Sequence, residues 1–141
     1  MASRHLSIRI NPESLARLER ESRRQRRSVS DVARTLIEEG LRMEAHAGIV
    51  FRDGPAGRRP GLKNGADVWE VISCFPGGEA TEAGIDHVME MMALNESQVR
   101  DALRYYIDYR DDIDDWIRRN EEEADSAYAQ WLAAQSQAPP V

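Results

Sequence analysis

Cysteine is nearly absent from this chain. Cys74 stands alone, which leaves no intrachain disulfide and no multi-cysteine zinc site. Only three histidines are present, His5, His46 and His87, and they lie too far apart in sequence to form a ligand motif. No apolar run approaches the length of a membrane span. The N-terminal stretch MASRHLSIRINPES is not apolar enough for a signal peptide, so the expected compartment is the cytoplasm. Catalytic signatures are missing too. There is no Gly-rich phosphate loop, no nucleophile motif, and no histidine near a candidate nucleophile. Asp111, Asp112, Asp114 and Asp115 lack the spaced Gly and Glu of a calcium loop. The chain reads as a non-enzyme with no catalytic residue, no metal site and no cofactor.

What is present is charge, unevenly spread. The 141 residues carry 19 Lys and Arg against 25 Asp and Glu, a net −6, with 41% hydrophobic and 31% charged residues. That length and composition suit one ordinary domain or two small ones. Residues 1–34 hold nine Arg and four acids, whereas residues 105–125 hold three Arg and nine acids. A basic end on an acidic chain points to a polyanionic partner at that end.

In residues 4–10, Leu6, Ile8 and Ile10 alternate with His5, Ser7 and Arg9, the period of a half-buried strand. Asn11-Pro12-Glu13 opens a helix by cap, proline and acid. Ser28 to Asp31 caps a second helix over about 29–44, whose apolar face is Val29, Val32, Ala33, Leu36, Ile37 and Leu41. A lone strand has no partner inside this segment, and 45 residues bury little core. Two chains pairing their strands antiparallel solve both problems, so residues 1–45 predict an obligate homodimer.

A boundary is expected at about 45–48. Beyond it, residues 48–52 suggest a strand and Asp53-Gly54 a hairpin turn, with Gly57, Pro60, Gly61 and Gly65 reading as turn-rich sequence. Short helices are expected from Asp67 and over 83–92, with Pro76-Gly77-Gly78 stopping the first. A longer helix starts at Asn95 and bends near Arg110-Asp111-Asp112. Trp69, Val71 and Ile72 read as core, Cys74 as a buried or half-buried thiol, and Arg58 and Arg59 as surface. The tail 135–141 reads as disordered.

Residues 1–45 resemble the ribbon-helix-helix repressors of the MetJ/Arc/CopG type. The likeness rests on Leu6-Ser7-Ile8-Arg9-Ile10, Pro12, and the helix start Arg27-Ser28-Val29-Ser30. It implies a swapped dimer whose two-stranded antiparallel ribbon enters the major groove of operator DNA. The base-reading residues would then be His5, Ser7 and Arg9, side chains able to address base edges. Arg26, Arg27, Ser28, Val29 and Ser30 would hold phosphate at a helix N-terminus. Residues 47–110 resemble a DUF433-type helical domain, related to the helix-turn-helix, through Gly-Ile-Val-Phe-Arg-Asp-Gly, Arg-Arg-Pro-Gly-Leu and Asp-Val-Trp-Glu-Val-Ile. The expected fold is thus mainly α, a ribbon-helix-helix followed by a small helical domain with an N-terminal hairpin and a C-terminal helix.

Together the halves resemble a VapB-type antitoxin, which implies a PIN-like ribonuclease toxin as partner and self-repression of the operon. A homodimer could then enter a higher toxin–antitoxin assembly. Residues 111–134 would be the toxin-binding helix, through Trp116, Ile117, Tyr128, Trp131 and Leu132, with Arg118 and Arg119 directed at the toxin's carboxylates. Packing of these aromatics on residues 67–103 is the competing expectation. Two further functions stay open: a stand-alone regulator whose C-terminal domain senses a ligand or assembles oligomers, and a structural partner with no DNA role.

Overall fold

The computed structural model describes residues 2–137. Six helices and one two-stranded antiparallel sheet make it mainly helical, in the order α1 (Pro12–Gln25), α2 (Val29–Ala45), β1 (Ile49–Arg52), β2 (Arg59–Leu62), α3 (Val68–Ser73), α4 (Glu82–Met92), α5 (Glu96–Asp108) and α6 (Arg110–Gln137). The chain divides into two compact units, the first ending at Ala45 and the second beginning at His46.

In the first unit the helices start where local chemistry directs. Asn11 Oδ1 accepts from Ser14 N at 2.8 Å, and Pro12 loses no helical bond at the first position. Ser28 Oγ accepts from Asp31 N at 3.0 Å at the head of α2. Arg26 closes α1 in the left-handed region (φ 53°, ψ 42°), and its N–H caps the Ser22 and Arg23 carbonyls. Residues 2–11 form no strand in the single chain, because a strand needs a neighbour for its backbone donors and acceptors. Val32 is the one buried apolar residue of this unit among those described, and Glu39, seven residues further along the same helix, is buried as well.

The second unit builds a true core. Strands β1 and β2 pair with Ile49 opposite Leu62, Val50 opposite Gly61, Phe51 opposite Pro60 and Arg52 opposite Arg59. Pro60 and Gly61 therefore lie in a strand, not in the turn-rich stretch expected. In a two-stranded sheet each strand keeps a free edge, so the missing proline N–H is tolerated. The connection runs over 53–58 and is longer than a two-residue Asp-Gly turn, with Gly57 at φ 113°. Ile49 and Leu62 from the hairpin join Val68, Val71 and Phe75, then Ile85, Val88, Val99, Ala102, Tyr105 and Ile113. Trp69, Ile72 and the free thiol Cys74 pack partly buried against this cluster. Each fully buried aliphatic side chain contributes roughly 1.5–3 kcal/mol.

Asn95 and Gln98 form a reciprocal capping box at the start of α5 (2.8 and 2.9 Å). The expected bend falls at Tyr109 (φ −129°, ψ 43°), where α5 ends and α6 begins. Helix α6 extends through Gln137, three residues past the expected end of the C-terminal helix; residues 138–141 of the expected disordered tail lie outside the described residues.

Candidate functional site

Every residue from 2 to 10 is exposed, including both alternating sets. His5, Ser7 and Arg9 form one set. Leu6, Ile8 and Ile10 form the other, at 68%, 60% and 45% exposure. Leu36, Ile37 and Leu41 on α2 are also exposed. The first unit thus holds an apolar surface that its own fold leaves uncovered, beside a basic segment.

The expected phosphate-binding residues gather at the α1–α2 corner, but they differ in what they already do. Arg27 is committed to the corner, donating to Thr35 Oγ1 at 2.9 Å and to the Asp31 carbonyl at 3.3 Å. Arg26 points its charge from the left-handed cap and is exposed, with no ion pair among the described residues. Ser28 and Ser30 are exposed and Val29 is half-buried. The Ser28 hydroxyl, followed by Arg34 at 2.8 Å, holds the Asp31 carboxyl below its usual range. Asp31 is therefore a fixed negative charge at the head of α2, and it offsets part of the cationic surface there.

The seven residues expected to bind a toxin separate along α6. Trp116 is buried and Ile117 packs against the core. Arg119 lies over the Trp116 ring at 4.1 Å, with Nε 3.1 Å from Asp115. Arg118 bonds to Asp115 and, at 3.0 Å, to Glu122. These bonds raise the Arg118 guanidinium's pKa and lower that of Asp115. Tyr128, Trp131 and Leu132 stand exposed at 61%, 55% and 46%. The Tyr128 and Trp131 rings stack with centroids 6.0 Å apart and planes 18° apart. All residues from 121 to 137 are exposed, so the second half of α6 touches no core.

A polar cluster that sequence reasoning missed surrounds Asp67. This carboxylate is buried and receives both Arg52, at 3.3 Å, and Arg59. Arg52 also donates to the carbonyls of Leu62 and Gly65, each at 2.9 Å. Gly61 makes room for it, since a Cβ there would lie 2.0 Å from the Arg52 Nη2. Arg59, read as a plain surface residue, is thus a half-buried strut, whereas Arg58 pairs with exposed Asp53 at 3.1 Å. Nothing in the spacing of Arg52, Arg59 and Asp67 signals the contact, because the two arginines reach Asp67 only once the hairpin has closed. The cluster binds the hairpin to the start of α3 and presents no open coordination position.

His46 Nε2 lies 2.8 Å from the Asp108 carboxylate, and its ring meets Tyr105 edge-on at 5.2 Å. This pair fastens the beginning of the second unit to the end of α5. Among the described residues, no three His, Cys, Asp or Glu are grouped to hold a metal ion. No helix among them is long and apolar enough to cross a membrane. No family model matches the chain, and neither a curated protein nor a solved structure is found similar to it.

Proposed function

We propose that this chain is a dimeric operator-binding antitoxin that silences a PIN-like ribonuclease and represses its own operon. The observation that carries the reading is the uncovered apolar surface of the first unit. Leu6, Ile8, Ile10, Leu36, Ile37 and Leu41 are exposed, while Val32 is the only buried apolar residue there among those described. A second copy covers that surface by pairing residues 4–10 antiparallel with their equivalents, which also satisfies the unpaired backbone. Pairing that buries Leu6, Ile8 and Ile10 turns His5, Ser7 and Arg9 outward as a ribbon face for the major groove. Arg26 and the head of α2 then meet phosphate.

The toxin-facing part of the proposal rests on Tyr128, Trp131 and Leu132. They form an apolar cluster on an uncharged helix segment that follows the acidic run Glu121 to Asp125, an arrangement suited to an interface anchor beside a charged rim. Arg118 and Arg119 are held by Asp115 and Glu122, so a toxin carboxylate must compete for them.

The test is co-expression of the full chain with the product of the adjacent reading frame, followed by pull-down, sizing and operator mobility shift. Ile8→Asp places a charge in the proposed dimer core at a cost of several kcal/mol. That variant is expected to lose both dimer and operator binding. A folded Ile8→Asp dimer would sink the ribbon assignment, and failure to capture the neighbouring product would sink the antitoxin assignment.

A further inference from the structure

The second unit is strongly acidic, with nine Lys and Arg against eighteen Asp and Glu. Three of the nine cations, Arg100, Arg104 and Arg110, nevertheless line one cavity of about 490 Å³. Its apolar wall comes from Ile72, Phe75, Ile85 and Leu103. The volume lies in the range of small-molecule pockets, and an apolar wall with a few convergent charges is their usual make-up.

The three arginines are not equivalent. Glu82, the one acid lining the cavity, accepts from Arg100 at 3.0 Å, and Glu96 accepts at 3.0 Å as well. Those bonds raise the Arg100 pKa, and its charge is already answered. Arg104 pairs with Asp101 one turn away on its own helix at 2.8 Å, and its side chain is 63% exposed. Such a pair adds little stability and yields readily to a better acceptor. The Arg110 guanidinium lies 5.2 Å from the Tyr106 ring centroid and meets no carboxylate among the described residues. Arg104 and Arg110 therefore leave donor capacity at the mouth of an apolar cavity.

We propose that this cavity binds a small amphipathic organic carboxylate. Its apolar body lies against Ile72, Phe75, Ile85 and Leu103, and its carboxylate accepts from Arg104 and Arg110. Guanidinium groups match a carboxylate's two oxygens in a planar fork, which selects this anion over a neutral polar head. The site lies wholly within the second unit and does not depend on how the first unit acts.

The experiment is a methyl NMR titration of the full-length chain with decanoate, using decanol as the neutral control. Decanoate is expected to shift the Ile72, Ile85 and Leu103 methyls, and decanol to bind about a hundredfold more weakly, the loss of a charge-assisted contact to each of the two arginines. Arg104→Ala and Arg110→Ala, which each remove one of those contacts, should each weaken decanoate about tenfold. Arg58→Ala removes a charge outside the cavity and should leave the affinity unchanged. Both cavity arginines carry their charge near solvent, and unchanged core methyl signals check that the variants fold. Equal binding of decanol and decanoate by the unaltered protein overturns the proposal, as do wild-type affinities in both cavity variants. Shifts confined to the exposed Leu6, Ile8 and Leu36 methyls overturn it as well.

Discussion

The Arg119 guanidinium lies 4.1 Å from the centroid of the Trp116 ring, and Trp116 itself is only 9% exposed. The two residues stabilise one another inside the second unit, so α6 is a structural helix in its first half. Asn120 continues this role by donating to the Trp116 carbonyl at 2.8 Å.

Truncation experiments should reflect that division. Among the described residues, ending the chain after Asn120 removes only exposed ones, and the thermal unfolding of the second unit should barely change. Ending it after Arg110 also removes Ile113 and Trp116, and the unit should fail to fold. Trp116→Ala should cost about 3–5 kcal/mol in a urea titration. If toxin is still neutralised by the chain ending at Asn120, then Tyr128, Trp131 and Leu132 are not its contact.

Removing the Asp67 carboxylate leaves two half-buried guanidinium groups without their shared acceptor. Asp67→Asn should destabilise the second unit by about 2–3 kcal/mol, the size of a lost hydrogen bond to charge. Arg58→Ala, which breaks an exposed pair, should cost under about 0.5 kcal/mol. Equal losses for the two variants would show that burial gives Asp67 no special weight.

Tyr106 donates to Asp114 at 2.6 Å, and this bond, with burial second, raises the phenol pKa above its ordinary value of 10.0. The neutral phenol is favoured by folding. Its contribution is therefore complete below the unfolded value and is lost as pH rises through the folded one. The stability gap between wild type and Tyr106→Phe should be constant up to about pH 10 and shrink above it. A gap that widens in alkali would contradict the assignment.

On operator DNA, Arg9→Ala should lose about 1–3 kcal/mol and relax sequence preference. Arg26→Ala should weaken all sequences alike and lower the salt slope by about one. Arg27→Ala mixes two effects, because Arg27 also braces Thr35 and Asp31. A mobility-shift titration at several salt concentrations separates them.

Much of the helical layout was legible because its signals are local. Asn11, Ser28 and Asn95 each act on a backbone N–H three residues away, within reach of pattern reasoning. Asp67 was not legible as a hub, since its partners lie eight and fifteen residues upstream and meet it only after the hairpin closes. Strand β2 was hidden by Pro60 and Gly61, whose turn propensity gives way where Gly61 lets Arg52 pass. Trp116 and Trp131 look alike in sequence. One is buried and the other exposed because the core formed with α3 and α5 ends before residue 121. The reading of residues 4–10 concerns a pairing between chains, which a single chain cannot contain.

Helix α6 carries one further consequence. A free peptide of the length of residues 121–137 would be a marginal helix, since starting the first turn is the costly step. Here Ile113 and Trp116 anchor that first turn in the core, so the outer turns only propagate it. At 1.5 Å per residue, the exposed half extends about 25 Å beyond the anchored part. The stacked Tyr128 and Trp131 rings are thereby presented already ordered. Whatever binds them does so without the entropic penalty of folding a coil, and loosening the core around Trp116 would weaken that binding from a distance.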